Sequence, residues 1–266
     1  MPFRFGGGYF EYKKPRAKSR LRGTEKNVGQ NIEQKRAFLA TVFCAAAARR
    51  AKSLDAGGGF CDNAAMQMEQ VLKNFGSKGF KAFYFKDAGA AKRFISETIG
   101  NGATVGMGGS VTVSELGLYE LLSKGNKVYW HGAPDRDENT MRNAAAAEYY
   151  VSSANALGAG GEIVNIDGRG NRVASTFFGP NRKAVFIVCG ENKLAENLEK
   201  AIWRAKNIAA PLNAKRLGRK TPCAAKGDKC YNCASPERIC CATTIMTNPT
   251  FCSPCYVIII SGSYGY

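Results

Sequence analysis

The chain has 266 residues, with 38 Lys+Arg against 21 Asp+Glu and a single histidine, for a formal net charge of +17. At 45% hydrophobic it can bury a sizeable core, which excludes a wholly disordered chain. No apolar run reaches the roughly 18 residues of a transmembrane helix, and 10 cysteines in this length are too few for a disulfide miniprotein.

The charge is uneven. Residues 1–60 carry 13 Lys+Arg and 4 acids, net +9, whereas residues 61–266 carry 25 and 17, net +8. Lys13 to Arg22 holds six basic residues, no acid and Pro15. Such a stretch cannot offset its ordering entropy by burial and reads as an unstructured leader. An arm for nucleic acid or another anionic surface is the alternative. The run Ala37–Ala48 has the length of a signal-peptide core, but Arg49-Arg50 follows it and no cleavage pattern does. An organelle transit peptide and a native start at Met66 or Met68 stay open. The organisation expected is a basic leader over 1–61 and one α/β domain over 62–266, in a cytoplasmic protein.

From residue 62 helices and strands alternate. Residues 62–78 place Met68, Val71, Leu72 and Phe75 at helical spacing. Phe80–Phe85 alternates and is aromatic-rich, as a strand is. A helix over 88–100, a strand at Ala103–Met107 and a helix over Ser110–Ser123 follow. Then come a strand at Lys127–Trp130, a helix at Glu138–Ala147, strands at Glu148–Ser153 and Lys183–Val188, and a helix over Leu194–Asn207. This alternation predicts a largely parallel sheet.

Gly106-Met107-Gly108-Gly109-Ser110 sits between a strand and a helix. Glycines there let the backbone turn sharply and approach a ligand. A phosphate or carboxylate site and a plain tight turn are both open readings. Thr112 and Glu115 have capping-box spacing, and Ser110 is a second candidate cap. Neither a P-loop nor the GxGxxG fingerprint is present, so no nucleotide cofactor is expected.

Residues 153–172 collect Asn155, Glu162, Asn165, Asp167, Asn171 and Arg172. Loops at the carboxyl ends of parallel strands bind ligands. Asp167-Gly168 is also a hairpin signal, and a hairpin can present a site.

Seven of the 10 cysteines fall in the last 44 residues. Cys223, Cys230, Cys233 and Cys240 form a Cys-x6-Cys-x2-Cys-x6-Cys pattern within the Cys-rich segment 222–241. A Cys-x2-Cys turn aims two thiolates at one ion, and two more complete a tetrahedral set. Zinc and an iron–sulfur cluster fit equally; free thiols and disulfides are the alternatives. Cys241 follows Cys240 directly, and Cys252-x2-Cys255 is a second close pair. Cys189 reads as core. His131, far away in sequence, reads as structural or as a surface residue.

The stretches Gly102–Leu118, Ser152–Pro180 and Asn207–Cys240 resemble the LUD-domain, or lactate-utilisation, family, in its branch with a C-terminal four-cysteine segment. The resemblance covers Asp62 to Tyr266. It implies a Rossmann-like parallel sheet of the NagB/RpiA/CoA-transferase type. It also implies a part in bacterial oxidation of L-lactate to pyruvate, beside iron–sulfur partner subunits. Matching motif positions are Gly108, Gly109, Ser110, Glu115, Asn155, Asn165, Asp167, Gly170, Asn171, Arg172, Lys193, Asn213 and Lys215, with the four cysteines. Residues 1–60 have no counterpart, and Cys252 and Cys255 are extra.

The functional expectation is a subunit that binds a small organic acid or other anion through Gly108, Gly109, Ser110, Asn155, Asn165, Asn171, Arg172 and Lys193. Arg172 and Lys193 would hold the anion's charge, and Asp167 or Glu162 is the candidate acid/base. Cys223, Cys230, Cys233 and Cys240 are the candidate ligands for an iron–sulfur cluster or zinc. A non-enzymatic, metal-stapled assembly or electron-relay subunit is the alternative. Nucleic-acid binding is not expected of the domain, which lacks interleaved basic and aromatic residues.

Overall fold

Alternating polarity from Cys61 onward produces alternating elements. In the computed structural model, which describes residues 61–266, helix α1 (Cys61–Ser77) leads into β1 (Lys81–Phe85), α2 (Ala88–Ile99) and β2 (Thr104–Met107). Short helices α3 (Val111–Glu115) and α4 (Leu118–Leu122) precede β3 (Lys127–Trp130), α5 (Thr140–Ala146) and β4 (Tyr149–Ser152). Next come β5 (Ala156–Gly158), β6 (Glu162–Asp167), α6 (Asn171–Phe177) and β7 (Ala184–Gly190). A 3-10 turn at Glu191–Lys193 enters β8 (Leu194–Ala195), then α7 (Leu198–Arg204), a π turn at Ala205–Ala209, α8 (Ala210–Arg216) and α9 (Pro222–Lys226). The last strands are β9 (Ala242–Met246) and β10 (Cys255–Ile260). The readings of residues 1–60 as leader, arm, signal or transit peptide lie outside the described residues.

Six strands form the Rossmann-like parallel sheet that the sequence predicts, in the order β1-β10-β7-β4-β2-β3. β7 is buried along its whole length, and its apolar run has no polar alternation, as a strand covered on both faces requires. From β2 the chain steps outward to β3, then returns to β4 on the other side of β2. The winding direction therefore reverses between β2 and β4, the place where such sheets open a ligand crevice. A second sheet, β8-β5-β6-β9, mixes parallel and antiparallel pairs.

Alternation splits the core. On one face Val105, Met107, Phe186 and Ile258 pack with Ile95 of α2 and Val113 and Leu118 of α3 and α4. On the other, Tyr150, Val185, Ile187 and Ile259 meet Phe75 of α1 and Leu157, Ile163 and Met246 of the second sheet. That sheet's outer residues Ala156, Val164 and Ile166 pack on Ala201, Ala205 and Ala210. Among the described residues no helix is long and apolar enough to cross a membrane.

Four local expectations change. The helix expected over Ser110–Ser123 is two helices, because Gly117 takes φ +60°, a backbone open to glycine at little cost. The helix expected from Leu194 starts at Leu198 instead. Leu194 and Ala195 pair with β5, and Asn197 caps α7 by accepting from Lys200 N at 2.9 Å. The hairpin turn is not at Asp167-Gly168 but between β5 and β6, at residues 159–161. Asp167 instead accepts from Arg169 N and Val173 N, both at 3.1 Å, and so starts α6. The capping box at Thr112 and Glu115 does not form. Ser110 caps α3 through Val113 N at 3.3 Å, and Thr112 turns inward.

Truncating Ile258 to Ala, in the buried centre of β10, is expected to cost about 2–5 kcal/mol in urea unfolding. The same change at Ile245, 40% exposed on β9, should stay within about 0.5 kcal/mol.

Candidate functional site

β4 leaves the central sheet at Ser152, and the chain crosses to the second sheet at Ala156. The crossing residues Ser153, Ala154 and Asn155 lie outside any strand, so their carbonyls need partners from elsewhere. Three cations supply them. Arg172 Nη1 donates to Ser153 O at 3.0 Å, Lys193 Nζ to Ala154 O at 3.2 Å and Arg204 Nη1 to Asn155 O at 2.5 Å.

Each cation is held by further acceptors. Arg172 also donates to Asn165 Oδ1 at 2.6 Å, Asn155 Oδ1 at 3.0 Å and Ile166 O at 2.8 Å. Lys193 also donates to Thr112 Oγ1 at 2.7 Å and Ser153 Oγ at 3.0 Å. Arg204 Nε donates to Asn192 O at 2.9 Å. Asn155 and Asn165 tie the crossing to β6 through Ile166 N and Asn155 N. The sequence-predicted residues Asn155, Asn165, Arg172 and Lys193 thus meet in one network.

Among the described residues none of the three cations has a carboxylate partner. The ion pairs among the described residues are Lys73–Glu69, Lys78–Glu162 and Lys183–Glu148. Lys193 is only 4% exposed. Burial pushes its ammonium down to about 8; Cys189 opposes this, and the Arg204 and Arg172 charges add to it. Burial also lowers Arg172 and Arg204. Uncompensated buried charge is costly, and it creates a field that favours an anion.

The other expected residues are placed less uniformly. Gly108 and Gly109 form the turn after β2, and Ser110 serves as the cap of α3. Asn171 opens α6 and its Nδ2 lies 2.9 Å from His131 Nδ1. Asp167 stands beside this group, with its oxygens on the backbone of the turn into α6. Glu162 lies at the other end of β6, about 17 Å away along the strand, paired with Lys78 at 2.5 Å. Of the two candidate acids only Asp167 is near the cation network.

Cys223, Cys230, Cys233 and Cys240 line one cavity of about 260 Å³, with Ile166, Lys206 and Arg238. Asn232, at φ +49°, donates its backbone N–H to Cys230 Sγ at 3.3 Å. That bond shapes the Cys-x2-Cys turn. The Cys240 side chain raises the Arg238 guanidinium above its ordinary value. As they stand, no three His, Cys, Asp or Glu side chains among the described residues are gathered closely enough to hold one ion. The donor set, its shared cavity and the adjacent cations suit a thiophilic, negatively charged metal–thiolate centre.

The LUD-domain family model matches residues 68–260. The chain belongs to the LUD-domain family. That family is associated with lactate utilisation. A crystal structure of a DUF162-family protein from Deinococcus radiodurans is similar at 13% identity and a TM-score of 0.44, over 74% of this chain and 98% of that one. No curated protein matches.

Two members of the LUD domain's cation network escape the sequence reading. Arg204 reads as one more basic residue on a helix, and only the fold brings it to Asn155. Thr112 reads as a cap, and its burial beneath Lys193 has no local signal.

The Lys193 ammonium carries a testable pH signature. The native group releases its proton near 8, whereas an unfolded lysine keeps it to about 10.4. Between those values the unfolded state binds more protons, so stability rises with pH. Urea midpoints of the wild-type LUD domain should therefore gain on those of Lys193→Met between pH 8 and 10. Equal slopes for the two proteins would contradict the buried, unpaired ammonium.

Proposed function

We propose that this LUD domain takes part in oxidation of L-lactate to pyruvate by binding the small organic acid in the crevice between the carboxyl ends of β2 and β4. The observation that carries this reading is the group of buried cations at the crossing, Arg172, Lys193 and Arg204, with no carboxylate partner among the described residues. A carboxylate entering there meets fixed positive charge in a poorly solvated place, where charge-assisted contacts are strong. The Gly108-Gly109 turn follows the carboxyl end of β2 without side chains, and Gly109 has nothing within 4 Å of its missing one. Of the two candidate acids, Asp167 stands beside the network and would accept or return a proton.

Cys223, Cys230, Cys233 and Cys240 would hold an iron–sulfur cluster or a zinc ion. A cluster would supply one-electron transfer; zinc would staple the segment. Lys206 and Arg238 would balance thiolate charge in either case. The electron-relay reading draws on the same four-thiol cavity and would place iron–sulfur partner subunits nearby. The protein is then cytoplasmic, like the metabolism it serves.

Calorimetry with pyruvate and L-lactate tests the ligand. Binding should take up protons near pH 8, because a bound carboxylate raises the Lys193 value back toward that of a free lysine. Lys193→Met should weaken binding by about tenfold or more, equivalent to roughly 1.4 kcal/mol. Binding of neither acid, or binding indifferent to Lys193, overturns the proposal. Anaerobic purification with metal and sulfide analysis tests the cysteines. Iron with labile sulfide, or one zinc, should be present and should fall on Cys230→Ser; a metal-free wild-type protein contradicts the site.

A further inference from the structure

The net charge of the described domain is gathered in one stretch. Residues 198–240, from α7 to the last of the four cysteines, carry 10 Lys+Arg against 3 Asp+Glu, net +7 of the +8 on residues 61–266. The fold brings these cations together. Lys215, Arg219 and Lys220 line an open groove of about 520 Å³ along α8 and α9. Thr221 lines both this groove and the four-cysteine cavity, where Lys206 and Arg238 stand. Lys226 and Lys229 lie over the ring of Tyr231, next in sequence to Cys230, at 4.6 and 5.8 Å from its centre. Groove and cavity therefore adjoin in one basic face that contains the thiols.

These cations are exposed, and among the described residues none of them is in an ion pair. Two of the three acids in the stretch are engaged otherwise. Glu237 accepts from Lys220 N at 2.9 Å, and Asp228 accepts from Tyr231 Oη at 2.6 Å. Like charges crowded this way repel one another and focus a positive potential. Trp203 is 55% exposed and stands three residues before Lys206 on one continuous helical run, so the two are surface neighbours. Tryptophan is a frequent anchor of protein interfaces. The partner's chemistry follows from the charge. Residues 1–60, net +9, and a second copy of this face have the same sign and do not complement it. A nucleic-acid strand stacks its successive bases on several open aromatic rings. Here Lys226 and Lys229 cover the Tyr231 ring, which leaves Trp203 as the exposed aromatic residue of the stretch.

We propose that this face docks the acidic surface of a partner protein over the four-cysteine cavity. Carboxylates of the partner enter the groove of Lys215, Arg219 and Lys220, and an apolar side chain of the partner packs on Trp203. Complementary charge steers the encounter and sets its orientation, and salt screens it. Trp203 supplies the apolar anchor that charge alone lacks. The docked partner stands over whatever the thiols hold. The inference goes beyond the organic-acid site and depends neither on that ligand nor on which metal is bound.

Two probes test it on the full-length protein: poly-L-glutamate, and a glutamate-rich peptide interspersed with leucine. Both should bind at low salt and weaken as salt rises, the leucine-bearing peptide more tightly. Arg219→Glu with Lys220→Gln should weaken both by about tenfold or more. Arg93→Glu with Lys124→Gln makes the same charge change on exposed residues elsewhere and should alter binding by less than about twofold. Trp203→Ser should remove the peptide's advantage and spare poly-L-glutamate. Carbodiimide, which joins a carboxylate to an amine it touches, should link the peptide to Lys215 or Lys220 of the wild-type protein. Equal losses from the two double variants would reduce the effect to net charge and overturn the proposal. A peptide indifferent to Trp203→Ser, or carbodiimide links confined to lysines outside residues 198–240, would do the same. Single-stranded DNA of equal charge that binds more tightly than the peptide, and through Arg219 and Lys220, would replace the protein partner with a nucleic acid and also overturn it.

Discussion

Three consecutive carbonyls without a strand to satisfy them are the constraint around which this domain is built. The chain must cross from one sheet to another at Ser153–Asn155, inside the protein, where an unmet carbonyl costs about 1–3 kcal/mol. Arg172, Lys193 and Arg204 each cover one. Those cations come from α6, the turn after β7 and α7, so meeting the carbonyls fixes the position of all three elements against β4. The solution leaves positive charge in the interior. Neutral donors would have met the carbonyls without it. A ligand carboxylate would complete the electrostatics that the fold leaves open.

The order of helices and strands was legible because a six-stranded parallel sheet forces long apolar strands and amphipathic helices to alternate. Asn155, Asn165, Arg172 and Lys193 were legible as a set of residue types, since dense polar side chains after apolar strands have few other uses. What stayed hidden was non-local. Arg204 sits at helical spacing among ordinary surface residues until α7 packs against β5. Leu194 and Ala195 look helical until β5 offers an edge. Gly117 resembles any loop glycine until the backbone turns left-handed there. His131 looked idle because its partners, Asn171 and the end of β2, are distant in sequence.

β6 ties the two candidate chemistries together. Successive side chains of a strand point to opposite faces. Asn165 accordingly reaches Arg172, while Ile166 lines the four-cysteine cavity. The backbone of Ile166 joins the first group as well, bonding both Asn155 and Arg172. A shift of β6 would move both places at once. A change at either end therefore has a short physical route to the other, through one strand rather than through a chain of contacts.

β10 stands between β1 and β7, although nearly all of the described chain precedes it. As the polypeptide emerges from the ribosome, β1 has no neighbour to pair with until residues 255–260 arrive. For most of synthesis the aromatic strand β1 stays unpaired, joined late by the open edge of β7, and non-local pairing of this kind closes slowly. The four cysteines emerge before β10 does. Insertion of the last strand thus closes the sheet after the thiols are already available, and a bound metal would shorten the loop that must close.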